Sequence, residues 1–162
     1  MPEIIVIAHN IRSTHNVGSI FRTCEGFGVK KIILSGYTPY PSLPGDARLP
    51  HIAQKLTQQI HKTALDAETI VPFEYQEHLN LQSLKREGYR IVGLEQNNRS
   101  INLHDYKTPD KLVLLLGEEV LGVENDLLDQ CDDIVEIPMI GVKESFNVSV
   151  ATGIALYKLS NL

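Results

Sequence analysis

The sequence contains few cysteines and no long hydrophobic segment, and these absences exclude several classes of protein. Its 162 residues include two cysteines, Cys24 and Cys131, and neither belongs to a Cys-x-x-Cys pair. We therefore expect neither a disulfide framework nor a structural zinc site, and a reducing cytoplasm is the predicted location. The N-terminal apolar run, Ile4 to Ile7, is too short for a signal peptide or a membrane span, so no membrane association is expected.

Several common cofactor and catalytic motifs are also absent. Gly26-Phe27-Gly28 lacks the third glycine of a dinucleotide-binding fingerprint and precedes a predicted strand, which argues against an NAD site. Gly117 and Gly122 have the spacing of a phosphate-binding loop, but Val123 and Glu124 replace its two conserved polar residues, and two glutamates lie between the glycines. That loop favours a ligand with a positive centre or a neutral ring. The histidines show no His-Glu-x-x-His spacing and no Gly-x-Ser-x-Gly sequence occurs, so we expect no metal site and no serine hydrolase.

Charge is distributed unevenly along a chain whose net charge is −5. Residues 1–62 carry seven basic and three acidic side chains, a net of +4, so residues 63–162 carry −9. Such an asymmetry is typical of a protein in which one face meets a polyanion. An uneven solvated surface explains it equally well.

Short apolar segments alternate with segments of helical period, which predicts an α/β domain with a mostly parallel sheet. A first helix carries an apolar stripe from Val17 to Phe27, a second is predicted from Leu49 to about Ala67, and a last one from about Asn147 to Leu159. Length and composition indicate one domain, residues 1–162, without a separate substrate-recognition domain. The predicted strands are Ile4–Ala8, Lys31–Leu34, Ile70–Phe73, Arg90–Leu94, Leu112–Leu116 and Ile134–Ile137.

The C-terminal quarter combines glycines, carboxylates and amide side chains between apolar runs, which is typical of a ligand pocket lined by main chain. Ser145, Asn147 and Ser149 stand at the start of the last helix, where small polar side chains commonly cap free N–H groups. The irregular residues 140–146 and the glycine loop after the strand Leu112–Leu116 could together hold one small ligand. Helix capping alone and a ligand pocket both explain these residues.

A proline-rich loop, Gly36 to Gly45, follows the second predicted strand. It contains Tyr37 and Tyr40 and is followed by Arg48. Loops at strand ends commonly carry function in α/β proteins, and the two tyrosines could stack on bases or ribose. A surface loop without such a function is the alternative.

Three segments of the chain carry polar residues at characteristic spacing. Residues 10–36 place Asn16 six residues before Arg22, residues 115–123 read LLGEEVLGV, and residues 137–157 read IPMIGVKESFNVSVATGIALY. In this order the segments resemble the SpoU (TrmH-like) branch of the SPOUT methyltransferases, and the resemblance covers nearly the whole chain. It implies an α/β fold with a C-terminal trefoil knot, a homodimer, S-adenosylmethionine as methyl donor, and methyl transfer to a ribose 2′-hydroxyl of transfer or ribosomal RNA.

Carried over position by position, the resemblance also implies a set of site residues. Asn16 and Arg22 would lie at the reacting ribose, and Glu119, Ser145 and Asn147 would complete the catalytic group. Because a guanidinium stays protonated in proteins, we expect Arg22 to bind phosphate and the developing oxyanion rather than to act as a base. The methyl donor is expected to contact Leu94, Gly117, Ile137, Met139 and Phe146, and the RNA is expected to contact Arg12, Lys30, Lys31, Arg48 and Lys55.

One segment departs from the family pattern. Relatives usually have Asn-Glu-Gly after the first glycine of the second segment, where this chain has Glu118-Glu119-Val120. Valine disfavours positive φ, so a differently shaped loop and a weaker donor site are expected there. A catalytically weak or silent RNA-binding dimer is therefore the alternative to the enzyme. Methylation of a base or of another small acceptor, rather than a ribose, is a third hypothesis.

Overall fold

The computed structural model describes all 162 residues and contains one seven-stranded sheet in which every pair of neighbouring strands is parallel. The strand order is β3-β2-β1-β6-β4-β7-β5. The strands are β1 (Glu3–His9), β2 (Lys31–Ser35), β3 (Phe73–Gln76), β4 (Arg90–Leu94), β5 (Ile101–Asn102), β6 (Lys111–Leu116) and β7 (Asp133–Glu136). The helices are α1 (Thr14–Gly26), α2 (Pro50–Ala64), α3 (Ala67–Ile70), α4 (Leu81–Arg86), α5 (Asn125–Gln130) and α6 (Val148–Leu159), and a short 3-10 helix spans Leu103–Asp105.

The predicted α/β architecture with a mostly parallel sheet is confirmed, and five of the six predicted strands lie where their apolar runs indicated. The prediction for Ile70–Phe73 is wrong, because Ile70 ends α3 and the strand begins only at Phe73. Ala67 and Val71 are buried in the core on either side of this single helical turn. The apolar run therefore spans a helix end: Ile70 is exposed at the end of α3, and only Val71, the next residue, is buried.

The second helix also differs from its prediction, since α2 ends at Ala64 rather than at Ala67. Leu65 and Asp66 take left-handed φ values of 50° and 76°, which stop the helix before α3 begins. The helices α4 and α5 and the two-residue strand β5 were not predicted. Each is too short to show a helical or a strand period in the sequence.

The hydrophobic core has two layers, one on each face of the sheet. Alternate residues of each strand point to opposite faces, so Val6 lies in the larger layer and its neighbour Ile7 in the smaller one. The larger layer is covered by α1, α2 and α6, and the smaller layer by α4 and α5. No helix combines the length and the apolar composition that crossing a bilayer requires.

The parallel arrangement places the carboxyl ends of all strands at one edge of the sheet, which we call the carboxyl edge. The segments that follow β1, β2, β4, β6 and β7 therefore begin side by side. These segments contain most of the polar residues that the sequence singles out. In parallel α/β sheets this edge is the usual position of a binding site.

Candidate active site

A cavity of about 300 Å³ opens at the carboxyl edge, above the ends of β4, β6 and β7. Four residues expected to contact the methyl donor line it: Leu94, Gly117, Ile137 and Phe146. Met139, the fifth, does not line this cavity. The structure thus brings together segments that are far apart in sequence, and the other lining residues are Glu95, Gln96, Leu116, Glu118, Glu119, Val120, Leu121, Gly122, Glu136, Glu144, Ser145, Val148 and Ala151.

The loop after β6 forms one wall of the cavity and folds back on itself. The backbone N–H of Glu118 donates to the carbonyl of Gly122 (3.1 Å), and the N–H of Gly122 donates to the carbonyl of Glu118 (2.8 Å). Gly122 takes the left-handed conformation, with φ of 70°, whereas Val120 is exposed at the tip of the turn without a positive φ. Val120 thus avoids the positive φ that valine disfavours, and Gly122 takes the left-handed position in this turn.

Glu95, which the sequence did not single out, holds this loop in place. One oxygen of its carboxylate accepts the backbone N–H of Val123 (2.9 Å), and the other accepts that of Gln96 (2.9 Å). Gln96 in turn donates from its side chain to the carbonyl of Glu144 (2.9 Å), which ties the segment after β4 to the segment after β7. These contacts join residues 28 and 48 positions apart, so no local motif could have indicated them.

Gly117 lies where the chain passes very close to itself, and its replacement by alanine is expected to disrupt the cavity. A Cβ atom at this position would lie 2.5 Å from the carbonyl carbon of Gly122 and from the nitrogen of Val123. Overpacking of this kind costs about 1–3 kcal/mol. If that cost falls on the cavity wall, the affinity for S-adenosylmethionine should drop roughly 5- to 150-fold in calorimetry.

Gly141→Ala provides the matched control for Gly117→Ala. Gly141 also follows a strand at the carboxyl edge, but a Cβ atom there meets nothing within 4 Å and its φ is not positive. We expect this variant to keep the wild-type affinity. Equal affinities of the two variants would show that the close approach at Gly117 does not shape the donor site.

Three residues predicted to be catalytic form a hydrogen-bonded group beside the cavity, which we call the polar triad (Glu119, Asn16 and Asn147). Asn147 donates from Nδ2 to Oδ1 of Asn16 (3.2 Å), and Asn16 donates from Nδ2 to Oε1 of Glu119 (3.1 Å). The three side chains come from the start of α6, the first turn of α1 and the loop after β6. Glu119 also lines the cavity, so the triad and the cavity form one site.

The orientation of both amides in the polar triad follows from their partners. Asn147 caps α6, and its Oδ1 accepts the backbone N–H groups of Ser149 (2.9 Å) and Val150 (3.4 Å) together with the hydroxyl of Ser149 (2.6 Å). Its Nδ2 must therefore face Asn16, whose oxygen accepts it. Helix capping and a place in the candidate site, the two interpretations of Asn147 from sequence, are thus both satisfied by one side chain.

Glu119 anchors the polar triad to the segment that follows β1. Its carboxylate accepts the backbone N–H groups of Arg12 (3.2 Å) and Ser13 (3.3 Å) in addition to the amide of Asn16. Partial burial raises the pKa of Glu119, but the hydrogen bonds from Asn16, Arg12 and Ser13 lower it by more, so that the net shift is downward. Glu119 is therefore an anion at neutral pH that fixes the direction of Asn16.

The cavity is lined by five glutamates and by no lysine or arginine. This composition agrees with the prediction that the loop favours a ligand with a positive centre, because clustered carboxylates attract a cation. Glu118, one of the five, already has a basic partner outside the cavity, since its Oε1 lies 3.3 Å from Nη2 of Arg12. The ion pair joins the loop after β6 to the segment after β1.

Ser145 and Arg22, the other two predicted catalytic residues, are placed differently. Ser145 lines the cavity. Arg22 is exposed on α1, outside the cavity lining, and its side chain makes no hydrogen bond or ion pair within the chain. Arg22 follows Asn16 by six positions in α1. It therefore lies about 9 Å farther along the helix axis, away from the carboxyl edge.

The structure separates the five residues expected to bind RNA. Arg12 lies at the carboxyl edge next to the polar triad, and Lys55 is exposed on α2. Lys30 and Lys31 lie at the opposite edge, where strand β2 begins, and pair with Glu3 (3.0 Å) and Glu74 (3.3 Å). Strand β2 lies between these two lysines and the carboxyl edge, so their contact with RNA stays a prediction for a surface away from the polar triad.

Arg48 and Tyr40, for which the sequence suggested contacts with RNA, stabilise the loop after β2. Arg48 makes an ion pair with Asp46 (2.6 Å) and donates to the carbonyls of Tyr40 (2.8 Å) and Pro41 (3.1 Å). Its guanidinium also lies 3.5 Å from the ring centroid of Tyr40, whose ring stacks on that of Tyr75 at 4.1 Å. Both faces of Tyr40 are thus occupied, and the donors of Arg48 are engaged.

One group of side chains outside this edge has the composition of a metal site. His61 lies in the last turn of α2, Asp66 directly precedes α3 and Glu68 lies in α3, and Nδ1 of His61 is 2.6 Å from Glu68. Their hydrogen bond raises the pKa of His61. No sequence motif indicated this group, and it lies near the amino end of β3 rather than at the candidate site.

Comparison with known proteins agrees with this geometry. The model of the SpoU rRNA Methylase family matches residues 3–157. The tRNA (guanosine(18)-2′-O)-methyltransferase of Aquifex aeolicus is 32% identical over 156 residues, which is 96% of this chain and 68% of that protein. The solved structure of the A. aeolicus TrmH/SpoU tRNA modifying enzyme has a TM-score of 0.79 at 27% identity and covers 99% of this chain and 75% of its own.

Other similar proteins are longer than this chain. It spans 9% of a mouse tRNA (guanosine(18)-2′-O)-methyltransferase and 58% of a 23S rRNA (guanosine-2′-O-)-methyltransferase of Coxiella burnetii. The structure of an AdoMet-bound rRNA methyltransferase from Sinorhizobium meliloti has the same fold, with a TM-score of 0.80 at 22% identity over 98% of this chain and 56% of its own. From the family match and the Aquifex relative, the chain belongs to the SpoU rRNA Methylase family.

Proposed function

We propose that the protein is an S-adenosylmethionine-dependent methyltransferase that modifies a ribose 2′-hydroxyl of transfer or ribosomal RNA. Membership in the SpoU rRNA Methylase family supports this activity, as do relatives named for 2′-O-methylation of both RNA classes. The observation that carries the proposal is the acidic cavity that borders directly on the polar triad. Glu119 belongs to both and so links a site for a cationic donor to a site for a polar acceptor.

The residues of the cavity suit this methyl donor. S-adenosylmethionine supplies an electrophilic methyl group attached to a positively charged sulfonium. Five glutamates favour a cation in the cavity, and Leu94, Ile137 and Phe146 provide apolar surface for a purine ring. A cavity of about 300 Å³ is at the lower end of the range for small-molecule sites.

The polar triad would orient the acceptor. The amides of Asn16 and Asn147 are held in one direction by Glu119 and by the N-terminus of α6, so they are organised before RNA arrives. Positioning of this kind can supply several kcal/mol of a reaction barrier. Arg22 lies farther along α1, but long helical side chains lean toward the N-terminus of their helix, which here is at the carboxyl edge. Its guanidinium would bind a phosphate and the developing oxyanion there, while the proton of the hydroxyl leaves to phosphate or water.

We further propose a homodimer and a trefoil knot in the C-terminal part, as in the family that the sequence resembles. An exposed apolar stripe on α6, formed by Val150, Ile154 and Tyr157, supports the dimer. These residues follow helical spacing and no element of this chain covers them. Light scattering that gave the mass of a single chain, 18.1 kDa, would contradict the dimer.

Donor binding separates an enzyme from a silent RNA-binding protein. At 100 times its dissociation constant, S-adenosylmethionine should stabilise the fold by about 2.7 kcal/mol, which a thermal-shift measurement detects. The demethylated product should act similarly. Absence of any shift at millimolar donor would favour the silent RNA-binding protein.

RNA methylation itself is tested with radiolabelled donor and purified transfer and ribosomal RNA. A methyl group on the 2′-oxygen blocks alkaline cleavage at that linkage, so we expect the label in alkali-resistant dinucleotides. Binding should weaken steeply as salt increases if phosphate contacts dominate. Label recovered in alkali-sensitive mononucleotides would indicate base methylation and contradict ribose as the acceptor.

A further inference from the structure

A second cleft lies at the carboxyl edge, over the ends of β1, β2 and β3, and encloses about 780 Å³. In the strand order, β1 is paired with β6, the nearest strand below the donor cavity, so the cleft and the cavity adjoin at this pair. The polar triad residues Asn16 and Glu119 follow β1 and β6. The two openings therefore flank the polar triad. A donor in one of them leaves the other for the molecule that receives the methyl group.

Tyr37 is the exposed aromatic side chain of this second cleft. Half of it, 50%, is accessible, whereas both faces of Tyr40 are covered by Arg48 and Tyr75. The cleft also exposes the positively charged Arg12, whose guanidinium lies 5.7 Å from the ring centroid of Tyr37. Aromatic and cationic surfaces side by side suit a planar ring that is attached to a phosphate backbone.

The backbone around Tyr37 is fixed even though its ring is exposed. Its N–H donates to Oδ1 of Asn10 (3.1 Å), and the carbonyl of Gly36 accepts the hydroxyl of Tyr75 (2.6 Å). Asn10 takes a left-handed φ of 55°, and Gly36 takes φ of 62° with Asn10 packed where its Cβ would be. A rigid support for an exposed ring is typical of a preorganised binding surface.

Arg12 connects Tyr37 to the methyl-transfer site. Its backbone N–H donates to Glu119 of the polar triad, and its guanidinium pairs with Glu118 of the donor cavity. Its side chain is 68% exposed, so it can leave the ring of Tyr37 without losing a buried contact. A planar group could then take its place on the ring while Arg12 neutralises a neighbouring phosphate.

We propose that Tyr37 is the stacking surface for a nucleobase of the RNA, adjacent to the ribose that the polar triad orients. This inference rests on the proposed function and adds a subsite to it. The base would be bound mainly through its ring face, so purines should bind better than pyrimidines.

The absence of tryptophan from the sequence permits a direct test of stacking. Tyr37→Trp places the only tryptophan of the protein at the proposed surface, and a stacked base should quench its fluorescence. The probes are single-stranded dodecamers of adenylate and of uridylate, and we expect stronger quenching by adenylate. The control is Ile70→Trp, at an exposed position on α3 near the edge of the sheet opposite the carboxyl edge. The fluorescence of this tryptophan should not be quenched.

Quenching that is equal in the two tryptophan variants, or absent from Tyr37→Trp while anisotropy of a labelled dodecamer shows binding, would overturn the subsite. The same holds if no binding to either dodecamer is detected at millimolar concentration. This measurement does not depend on methyl transfer, so it decides the subsite even if the proposed activity fails.

The kinetics of methyl transfer to the substrate RNA provide the second test. Tyr37→Ala should raise the KM for RNA about 5- to 150-fold, the range expected for loss of one base–aromatic stack, and leave the dissociation constant of the donor unchanged. Tyr37→Phe keeps the ring and should remain within about twofold of wild type. If Tyr37→Ala has the wild-type KM in a protein that methylates RNA, the subsite is refuted while the proposed function stands.

Discussion

Replacing Glu119 with glutamine is expected to lower kcat for methyl transfer at least about 100-fold while the protein remains folded. The carboxylate accepts three N–H donors, from Arg12, Ser13 and the side chain of Asn16. A glutamine offers one oxygen, and its own N–H groups would face one of these donors. If that amide faces Asn16, Asn16 turns and loses its contact with Asn147, whose own amide cannot reverse without uncapping α6. If it faces Arg12, two N–H groups oppose each other and displace the side chain at position 119, which is the acceptor of Asn16.

The reaction rate should respond strongly to this change because the polar triad positions the reacting groups. A displacement of about 1 Å in a reacting group can cost about 100-fold in rate. Donor affinity should fall less than kcat, since Glu119 is one of five glutamates in the cavity. Single-turnover kinetics with saturating RNA and donor measure the expected loss.

Glu124→Gln is the matched control for Glu119→Gln. Glu124 lies in the same segment after β6, and its exposed carboxylate makes only long contacts with His9 (3.4 Å) and Asn10 (3.3 Å). This variant should retain nearly full activity. Substantial activity of Glu119→Gln would mean that the direction of Asn16 does not matter to the transfer step.

The sheet could be predicted from the sequence because each long strand is a continuous apolar run buried on both faces. Arg90–Leu94 coincides with β4, and Leu112–Leu116 differs from β6 by one residue. The same rule failed at Ile70, which is exposed at the end of a single helical turn. Hydrophobic runs therefore located the buried strands but could not distinguish a strand from one turn of helix.

The candidate site could be predicted only where a residue belongs to a motif. Asn16, Glu119 and Asn147 were expected from the family pattern, and the structure brings them together although 131 residues separate Asn16 from Asn147. Glu95 was missed because its carboxylate accepts the backbone N–H of Val123. A contact with a backbone group produces no recognisable residue spacing in the sequence.

Charge alone did not identify which basic residues are available to bind RNA. Charge alone selected Arg48, but its partners Asp46, Tyr40 and Pro41 lie in its own loop and occupy its donors. Lys30 and Lys31 were selected by the same criterion, and strand direction places them at the edge away from the site. Charge counts indicate a polyanion surface without indicating which charges are free to form it.

Arg22→Ala is expected to lower kcat about 100- to 1000-fold, the range for loss of a group that stabilises a developing anion, and to leave donor affinity unchanged. The side chain is exposed and unpaired on α1 and lies outside the cavity, so the donor site should not respond to its removal. Arg86→Ala, at an exposed position on α4 across the sheet, is the control for loss of one arginine. A loss of affinity for S-adenosylmethionine in Arg22→Ala would contradict the assignment of Arg22 as an anion-binding group.

Arg22→Lys distinguishes a guanidinium that binds the oxyanion from a group that removes the proton. Lysine keeps the positive charge but replaces a planar, bidentate donor by a single ammonium, and unlike arginine it can also lose a proton and act as a base. If Arg22 binds phosphate and oxyanion through two donors, the lysine variant should have less than about a tenth of the wild-type kcat, with no gain as pH rises. A lysine variant that recovers activity at high pH would instead assign proton removal to this position, and would contradict the guanidinium as an anion-binding group.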